Sequence, residues 1–499
     1  MRSLRYHRIV PGYYVENFGC RATQADGAAL ERQFEERGFA RAQTPTQASV
    51  VVLNTCTVTA GADQDARAAI RRVRRQNPEA QIVVTGCYAQ RAPDEIAALP
   101  GVSLVVGNSH KHRLAEIALN PLSEAPVAGT FVPISVLTSL GPRPTTDDQR
   151  PIFVSDIFAH TELLAAPVFD AANERTRPNL KVQDGCDNRC SFCVIPYVRG
   201  QSRSLTMERI LREVNGLVES GYREVVISGI NLGRWGRDLA VRPQTSDLSR
   251  SQGSEVRGVK SDVAHQRPTF ESLIRAILSE TALEKLRISS VEPMDWTDEL
   301  IALVAASPRI ARHAHVPMQS GSDAVLRRMH RKYRPWHYRE KIEKIRAAMP
   351  DAAIGADVMV GFPGESDAEF ESTRRMIEEL PFTYLHVFTY SARPGTPAAE
   401  MKSQVPVQVA RERNRILREL AAEKKRAFMR SFVGKKIEAI TLNVVRNDVR
   451  KDSGGEFTEA LTDNYLKLRL RGRHEPNRWQ RAQVSDVVDG ALLGTALRV

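Results

Sequence analysis

From residue 8 to about 118, short runs of β-branched and aliphatic residues alternate with segments whose apolar positions recur at helical spacing. "YYVENF", "SVVVLN", "QIVVTG" and "SLVVGN" read as strands, with amphipathic helices at about 25–37 and 62–76 and "RAPDEIAAL" before the fourth strand. Strand, helix, strand at this spacing predicts an open parallel α/β sheet. A second series begins at 179 with "NLKVQ", "REVVISG", "KLRISSV", "RHAHVPM", "AAIGADVMVG" and "YLHVFTY", separated by five helical segments such as "MERILREVNGLVES". Six such units predict a partial β/α barrel whose strand C-termini form the working face. A charged helix at about 409–432 then leads to "KIEAITLNVV", "YLKLRLR" and "ALLGTALRV". These predict a small antiparallel β-barrel of OB-like character, a type that often holds nucleic acid.

The pattern fails in two places. Residues 121–178 lose periodicity and gain Pro, Thr and Asp, and 239–268 are polar and nearly aperiodic. The first is expected to be a linker and the second a disordered surface insertion. The expected organisation is an N-terminal α/β domain at 8–120, a linker at 121–175, a barrel at 176–408, a connecting helix at 409–432 and a β-barrel at 433–499.

A chain of 499 residues supports two to four such domains. The N-terminus lacks the apolar core of a secretory leader, and no run approaches the ~20 apolar residues of a membrane span, so a cytoplasmic, membrane-free protein is expected. Reducing cytosol disfavours disulfides, which turns the 6 cysteines into metal or redox candidates. The net charge of +12 suggests a polyanionic partner, nucleic acid before an acidic membrane surface.

Cys186, Cys190 and Cys193 have the spacing C-x3-C-x2-C directly after a strand. Three thiolates held this close can ligate three irons of a cubane and leave the fourth open to a small chelating ligand. Zinc is the alternative, but a structural zinc site wants a fourth ligand, and the next histidine downstream is His265. Cys20, Cys56 and Cys87 each follow the C-terminal end of a strand of the first sheet. Such ends share one edge, so the three converge there. The bland alternative is three unrelated buried cysteines. The sharper one is a second cluster, again with one iron lacking a protein ligand.

C-x3-C-x2-C with Phe192 before its last cysteine resembles the signature of the radical S-adenosylmethionine enzymes. The resemblance implies a 4Fe-4S cluster on Cys186, Cys190 and Cys193, with S-adenosylmethionine on the open iron and reductive cleavage to a 5′-deoxyadenosyl radical. It also implies cofactor contacts at Phe192, Ser228, Gly229 and Asn231, while "VGFPGE" at 360–365 is a glycine turn suited to close approach by a ligand.

With a second cluster on Cys20, Cys56 and Cys87, the domain order resembles the methylthiotransferases, whose terminal barrel is the TRAM domain. "NTCTVT", "TGCYAQ" and "QDGCDNRCSFCVIPYVRGQSRS" resemble the branch acting on N6-threonylcarbamoyladenosine in tRNA. "FGCRATQ" resembles that branch's G-C-K-x-N-Q, with Thr23 in place of Asn. The resemblance implies transfer of a methylthio group to C2 of that nucleoside at position 37, next to the anticodon. One S-adenosylmethionine methylates sulfur at the second cluster, and another supplies the radical. It further implies an electron donor such as flavodoxin or ferredoxin, and a sulfur donor. Alternatives are isopentenyladenosine or a ribosomal-protein aspartate as acceptor, and a non-catalytic RNA-binding metal protein. Basic runs at 67–75, at 327–334 and along 411–430 are candidate phosphate contacts, about half of them expected to be solvated faces.

Overall fold

The computed structural model describes residues 12–120, 150–160, 163, 177–239, 267–447 and 456–497. Most of the expected linker and nearly all of the expected insertion, residues 240–266, lie outside the described residues. The first sheet contains β1 (Gly12–Asn17), β2 (Ala40–Arg41), β3 (Val50–Thr55), β4 (Gln81–Gly86), β5 (Val102–Gly107) and β6 (Ile152–Phe153) in the order β2-β1-β3-β4-β5-β6. Every pairing is parallel. β3, "VVVLNT", is buried along its whole length, as a central parallel strand covered on both faces must be. β2 and β6 are two-residue edges too short to carry a period, and β6 falls in the stretch read as linker.

The second body begins with β7 (Asn179–Lys181) and a small antiparallel hairpin of β8 (Gln183–Asp184) and β9 (Arg203–Ser204) that brackets the cysteine loop. β10 (Glu224–Ser228) and β11 (Lys285–Ile288) pair in parallel with β7 in the order β11-β10-β7. β12 (His313–His315), β13 (Ala353–Val360) and β14 (Tyr384–Thr389) form the other parallel trio. Parallel bridges Leu286–Ile310 and Ser290–His315 join the trios into a six-strand partial barrel. Its helices start where side chains satisfy their free N–H groups: Thr269 with Ser272, and Ser366 with Glu369, form capping boxes. Ala314, Leu385 and Val387 pack into the apolar shell, while the alternate positions His313, His315, Tyr384, His386 and Phe388 line the lumen. Gly355 makes room for this lining, since a Cβ there would lie 2.0 Å from the Tyr384 ring.

The helix Val407–Arg430 leads to a closed barrel of β15 (Lys436–Asn447), β16 (Glu456–Thr462), β17 (Lys467–Arg471), β18 (Trp479–Val488) and β19 (Ala491–Ala496). β17 and β19 pair in parallel, because five strands around a ring cannot all alternate in direction. The turn after β16 inserts into the mouth of the partial barrel. Arg287 donates to the carbonyl of Asp463 at 3.1 Å, and Asn464 Nδ2 to that of Asp351 at 3.0 Å. Tyr465, left-handed at φ +66°, stands 4.8 Å from the His313 ring and accepts a hydrogen bond from Arg21 at 3.1 Å. All three bodies thus meet at one tyrosine.

A buried ionic cluster joins the first sheet to the partial barrel. Asp26, on the helix Arg21–Glu35, contacts Lys111 at 3.1 Å, Arg199 at 3.0 Å, and Lys181. Asp184 contacts Lys181 at 2.8 Å and Arg199 at 3.0 Å. Burial by itself raises the Asp26 carboxyl, but Lys111, Lys181 and Arg199 overcome it and hold it at about 2. Asp184 is likewise held well below the carboxylate range, burial being outweighed by Arg199 and Lys181. Asp26→Ala leaves Lys111 without a carboxylate and Lys181 and Arg199 with Asp184 alone, and should cost about 3–5 kcal/mol, read as a lowered thermal midpoint. Both carboxyls are depressed in the folded state, so their stabilisation is complete above the ordinary value of 3.8 and fades as pH falls toward about 2. In Asp26→Asn that acid limb should flatten in calorimetry between these limits.

Candidate active site

The hairpin β8–β9 presents Cys186, Cys190 and Cys193 on a loop whose polar neighbours point at sulfur. The Asn188 N–H donates to Cys186 Sγ at 3.4 Å, Arg331 Nη1 to Cys190 Sγ at 3.3 Å, and Asn231 Nδ2 approaches Cys186 Sγ at 3.8 Å. Arg331 is itself buried and paired with Glu292. Burial pushes the Cys193 thiol up to about 12, helped by its neighbour Cys190, and raises Cys186 as well.

Behind the loop, Gln183 Oε1 accepts the Asn231 N–H at 2.7 Å, while its Nε2 donates to the carbonyls of Asp184 and Gly185 at 2.9 Å. Gly229 has to lack a side chain, since a Cβ there would lie 2.8 Å from Gln183 Oε1. Ser228 and Asn231 are each 3% exposed, yet Ser228 Oγ and Asn231 Oδ1 have no hydrogen-bond partner. Two orphaned polar atoms beside thiols fit a polar ligand at this edge. Phe192 instead packs edge-on against Phe362 of the "VGFPGE" turn, with ring centroids 6.4 Å apart.

Cys56 and Cys87 directly follow β3 and β4, and Cys20 precedes the first residue of the helix Arg21–Glu35. The sheet edge brings them together: a Cβ on Gly19 would lie 2.8 Å from Cys56 Sγ, and one on Gly86 would meet the Thr55 carbonyl at 2.2 Å. Cys20 is exposed, while Cys56 and Cys87 are buried. Burial, reinforced by Cys87, pushes the Cys56 thiol up to about 12. Asn108 Nδ2 lies 3.6 Å from Cys87 Sγ. The Arg199 guanidinium, 2% exposed, carries its charge close enough to Cys87 and Cys20 to be influenced by both. Among the described residues no three His, Cys, Asp or Glu side chains gather closely enough for a single ion, which is not the arrangement of tetrahedral zinc.

A cavity of about 600 Å³ lies between Cys20 and the Ser228–Ile230 segment, whose next residue, Asn231, approaches Cys186. Cys20 and Arg21 form one wall, Ser228–Ile230 another, and the lumen residues His313, His315, Asp357 and Tyr384 a third, with Tyr465 at the floor. A second cavity of about 620 Å³ shares Tyr384, His386 and Tyr465 with the first and runs between the C-terminal barrel and the helix Val407–Arg430. Arg177, Arg418, Lys425, Lys467 and Arg469 line it against Glu459 and Asp489. The basic runs divide accordingly. Arg72 pairs with Glu16, Arg328 with Glu369 and Arg413 with Glu365, and Arg331 is buried at Cys190, so these serve the fold. Periodicity did not single out Gln183, Arg199, Arg331 or the lumen face. For the lumen, the alternation in "RHAHVPM" and "YLHVFTY" was the available signal.

The model of the uncharacterized protein family UPF0004 matches residues 12–107, and that of the radical SAM superfamily matches 180–377. The threonylcarbamoyladenosine tRNA methylthiotransferase MtaB of Aquifex aeolicus is 33% identical over 94% of this chain and 99% of its own length. The protein of the same name from Bacillus subtilis is 35% identical over 92% and 90%. A tRNA-2-methylthio-N(6)-dimethylallyladenosine synthase of Thermobifida fusca is 34% identical over 93% and 82%. Among solved structures, the radical S-adenosylmethionine methyltransferase TsrM of Kitasatospora setae superposes with a TM-score of 0.51 at 15% identity over 78% of this chain and 75% of that one, a likeness of fold. Superfamily membership brings an iron–sulfur cluster and S-adenosylmethionine to the barrel. The chain belongs to the radical S-adenosylmethionine methylthiotransferase family, on the branch of its MtaB relatives.

Proposed function

We propose that this chain adds a methylthio group to C2 of N6-threonylcarbamoyladenosine at position 37 of tRNA. The observation that carries this reading is the cavity with Cys20 in its wall, the turn that approaches Cys186 in another, and a basic groove that shares Tyr384, His386 and Tyr465 with it. Cys186, Cys190 and Cys193 would hold one 4Fe-4S cluster, and Cys20, Cys56 and Cys87 a second. The fit rests on two thiol triplets with hydrogen-bond donors at sulfur and unpartnered polar atoms alongside. When bound, the barrel cluster and S-adenosylmethionine supply one-electron radical chemistry, and the second cluster supplies a site for sulfur.

The chain's own residues position and enclose. Gln183 fixes the Ser228–Asn231 turn so that Ser228 Oγ and Asn231 Oδ1 face an incoming cofactor. Arg331 places a positive charge on Cys190. Tyr465 packs against His313 and separates this cavity from the basic groove beside it. No side chain has to serve as general base, because the C2 hydrogen is too weakly acidic for one to remove. Arg418, Lys425, Lys467 and Arg469 suit the phosphates of an anticodon stem-loop. In this reading residues 433–499 are a TRAM domain, and the electron donor (a flavodoxin or ferredoxin), the sulfur donor and a cytoplasmic setting complete the system. No helix among the described residues is long and apolar enough to cross a membrane.

Anaerobic reconstitution should give about eight irons per chain, falling to about four in Cys190→Ala and to about four in Cys56→Ala. Loss of all iron in either variant would contradict two separate sites. Cys56 and Cys193 keep their protons up to about 12, and ligation must expel them, so iron uptake at fixed sulfide should strengthen from pH 7 to pH 9. Nucleoside mass spectrometry on tRNA from a deletion strain should show loss of 2-methylthio-N6-threonylcarbamoyladenosine. If the 2-methylthio-dimethylallyl nucleoside disappears instead, the acceptor is the one named for the Thermobifida relative.

A further inference from the structure

The cavity beside Cys20 is chemically lopsided. Of its lining residues, Arg21 is the only lysine or arginine and Asp357 the only carboxylate. Asp357 is engaged by His315 Nε2 at 3.2 Å. Arg21 is not engaged by any acid: its guanidinium donates to the Tyr465 hydroxyl at 3.1 Å, and among the described residues no carboxylate lies within ion-pair distance. A guanidinium carries five N–H donors, so most of its capacity stays open in a partly buried place. The rest of the wall is mixed, with His313, His315, Tyr384 and His386 beside Ala22, Ile230 and Phe388, so Arg21 is the feature that separates a charged substituent from an apolar one. Burial holds His313 and His386 below their ordinary range, so both stay neutral at physiological pH and leave Arg21 as the cation.

A threonylcarbamoyl group ends in a carboxylate and a dimethylallyl group ends in methyls. A carboxylate taken into a half-buried cavity is costly unless a charged donor meets it, and arginine meets it with paired N–H groups. We infer that Arg21 is the specificity residue that binds the carboxylate of the adenine's N6 substituent, held in place for this by the Tyr465 hydroxyl. The inference rests on the acceptor named above. It gives the residue after Cys20 a role in choosing the substrate, separate from the neighbouring sulfur.

The test is fluorescence anisotropy with reconstituted full-length enzyme and three anticodon stem-loop RNAs carrying threonylcarbamoyladenosine, dimethylallyladenosine or plain adenosine. The wild type should prefer the first. Arg21→Gln should reduce that preference roughly ten- to a hundredfold, the range for a lost hydrogen bond to a charged group. Arg21→Lys should restore part of it, and Arg21→Glu should turn it against the carboxylate. The readout is a ratio of affinities on one preparation, so a fold defect or iron loss that weakens all three RNAs alike leaves the ratio at its wild-type value and counts against the inference. Arg21→Gln with the wild-type ratio would overturn it. Wild-type enzyme that methylthiolates the dimethylallyl RNA and not the threonylcarbamoyl RNA would overturn the acceptor itself, a result independent of any Arg21 variant.

Discussion

The geometry of this molecule hangs on two buried carboxylates shared among three buried cations. Asp26 comes from the N-terminal body, Asp184 from the loop that carries the barrel cysteines, and Arg199 touches both while Lys181 bridges them. None of these charges is tolerable alone in so dry a place. Lys111 pairs with Asp26 inside the first body and Asp184 with Lys181 and Arg199 inside the second, while Asp26 reaches across to Lys181 and Arg199 and joins the two. The same arginine stands beside the sulfurs at the sheet edge. One ionic knot therefore sets both the docking of the domains and the electrostatic surroundings of the first cysteine group.

From that knot the rest of the site is placed by backbone geometry. Parallel strands deliver Cys56 and Cys87 to one edge, and the β8–β9 hairpin delivers the other three cysteines facing it. Gln183 lies between, tied to the cysteine loop by its amide nitrogen and to the Ser228–Asn231 turn by its oxygen. The cavity is what remains between these fixed edges, and the C-terminal barrel closes it from below.

Much of this was legible in the chain. β3, β4, β5, β10 and β13 announce themselves as valine- and isoleucine-rich runs, because central parallel strands are buried on both faces, while β12 and β14 show instead as apolar–polar alternation. The grouping of the cysteines was legible because the C-x3-C-x2-C spacing and the three strand ends are patterns of the sequence itself. What stayed hidden depends on contacts distant in sequence. Arg331 looks like a member of a basic run and Arg199 like one more position of the cysteine signature, and only burial against Glu292, Asp26 and Asp184 shows what they do. β16 and β18 escaped because they carry charged residues at exposed positions, as small barrels with one wet face do. β2 and β6 are too short to have any pattern.

The tyrosine at the tip of the β16–β17 turn has a consequence for biosynthesis. Residues 179–389 supply every strand of the partial barrel, but the ring that packs at its base arrives only with Tyr465, in the turn after β16. Domains fold from the N-terminus as they leave the ribosome. The nascent barrel therefore lacks the Tyr465 contact at its base until the C-terminal barrel has emerged, and its lumen is completed by a segment made well after its own strands.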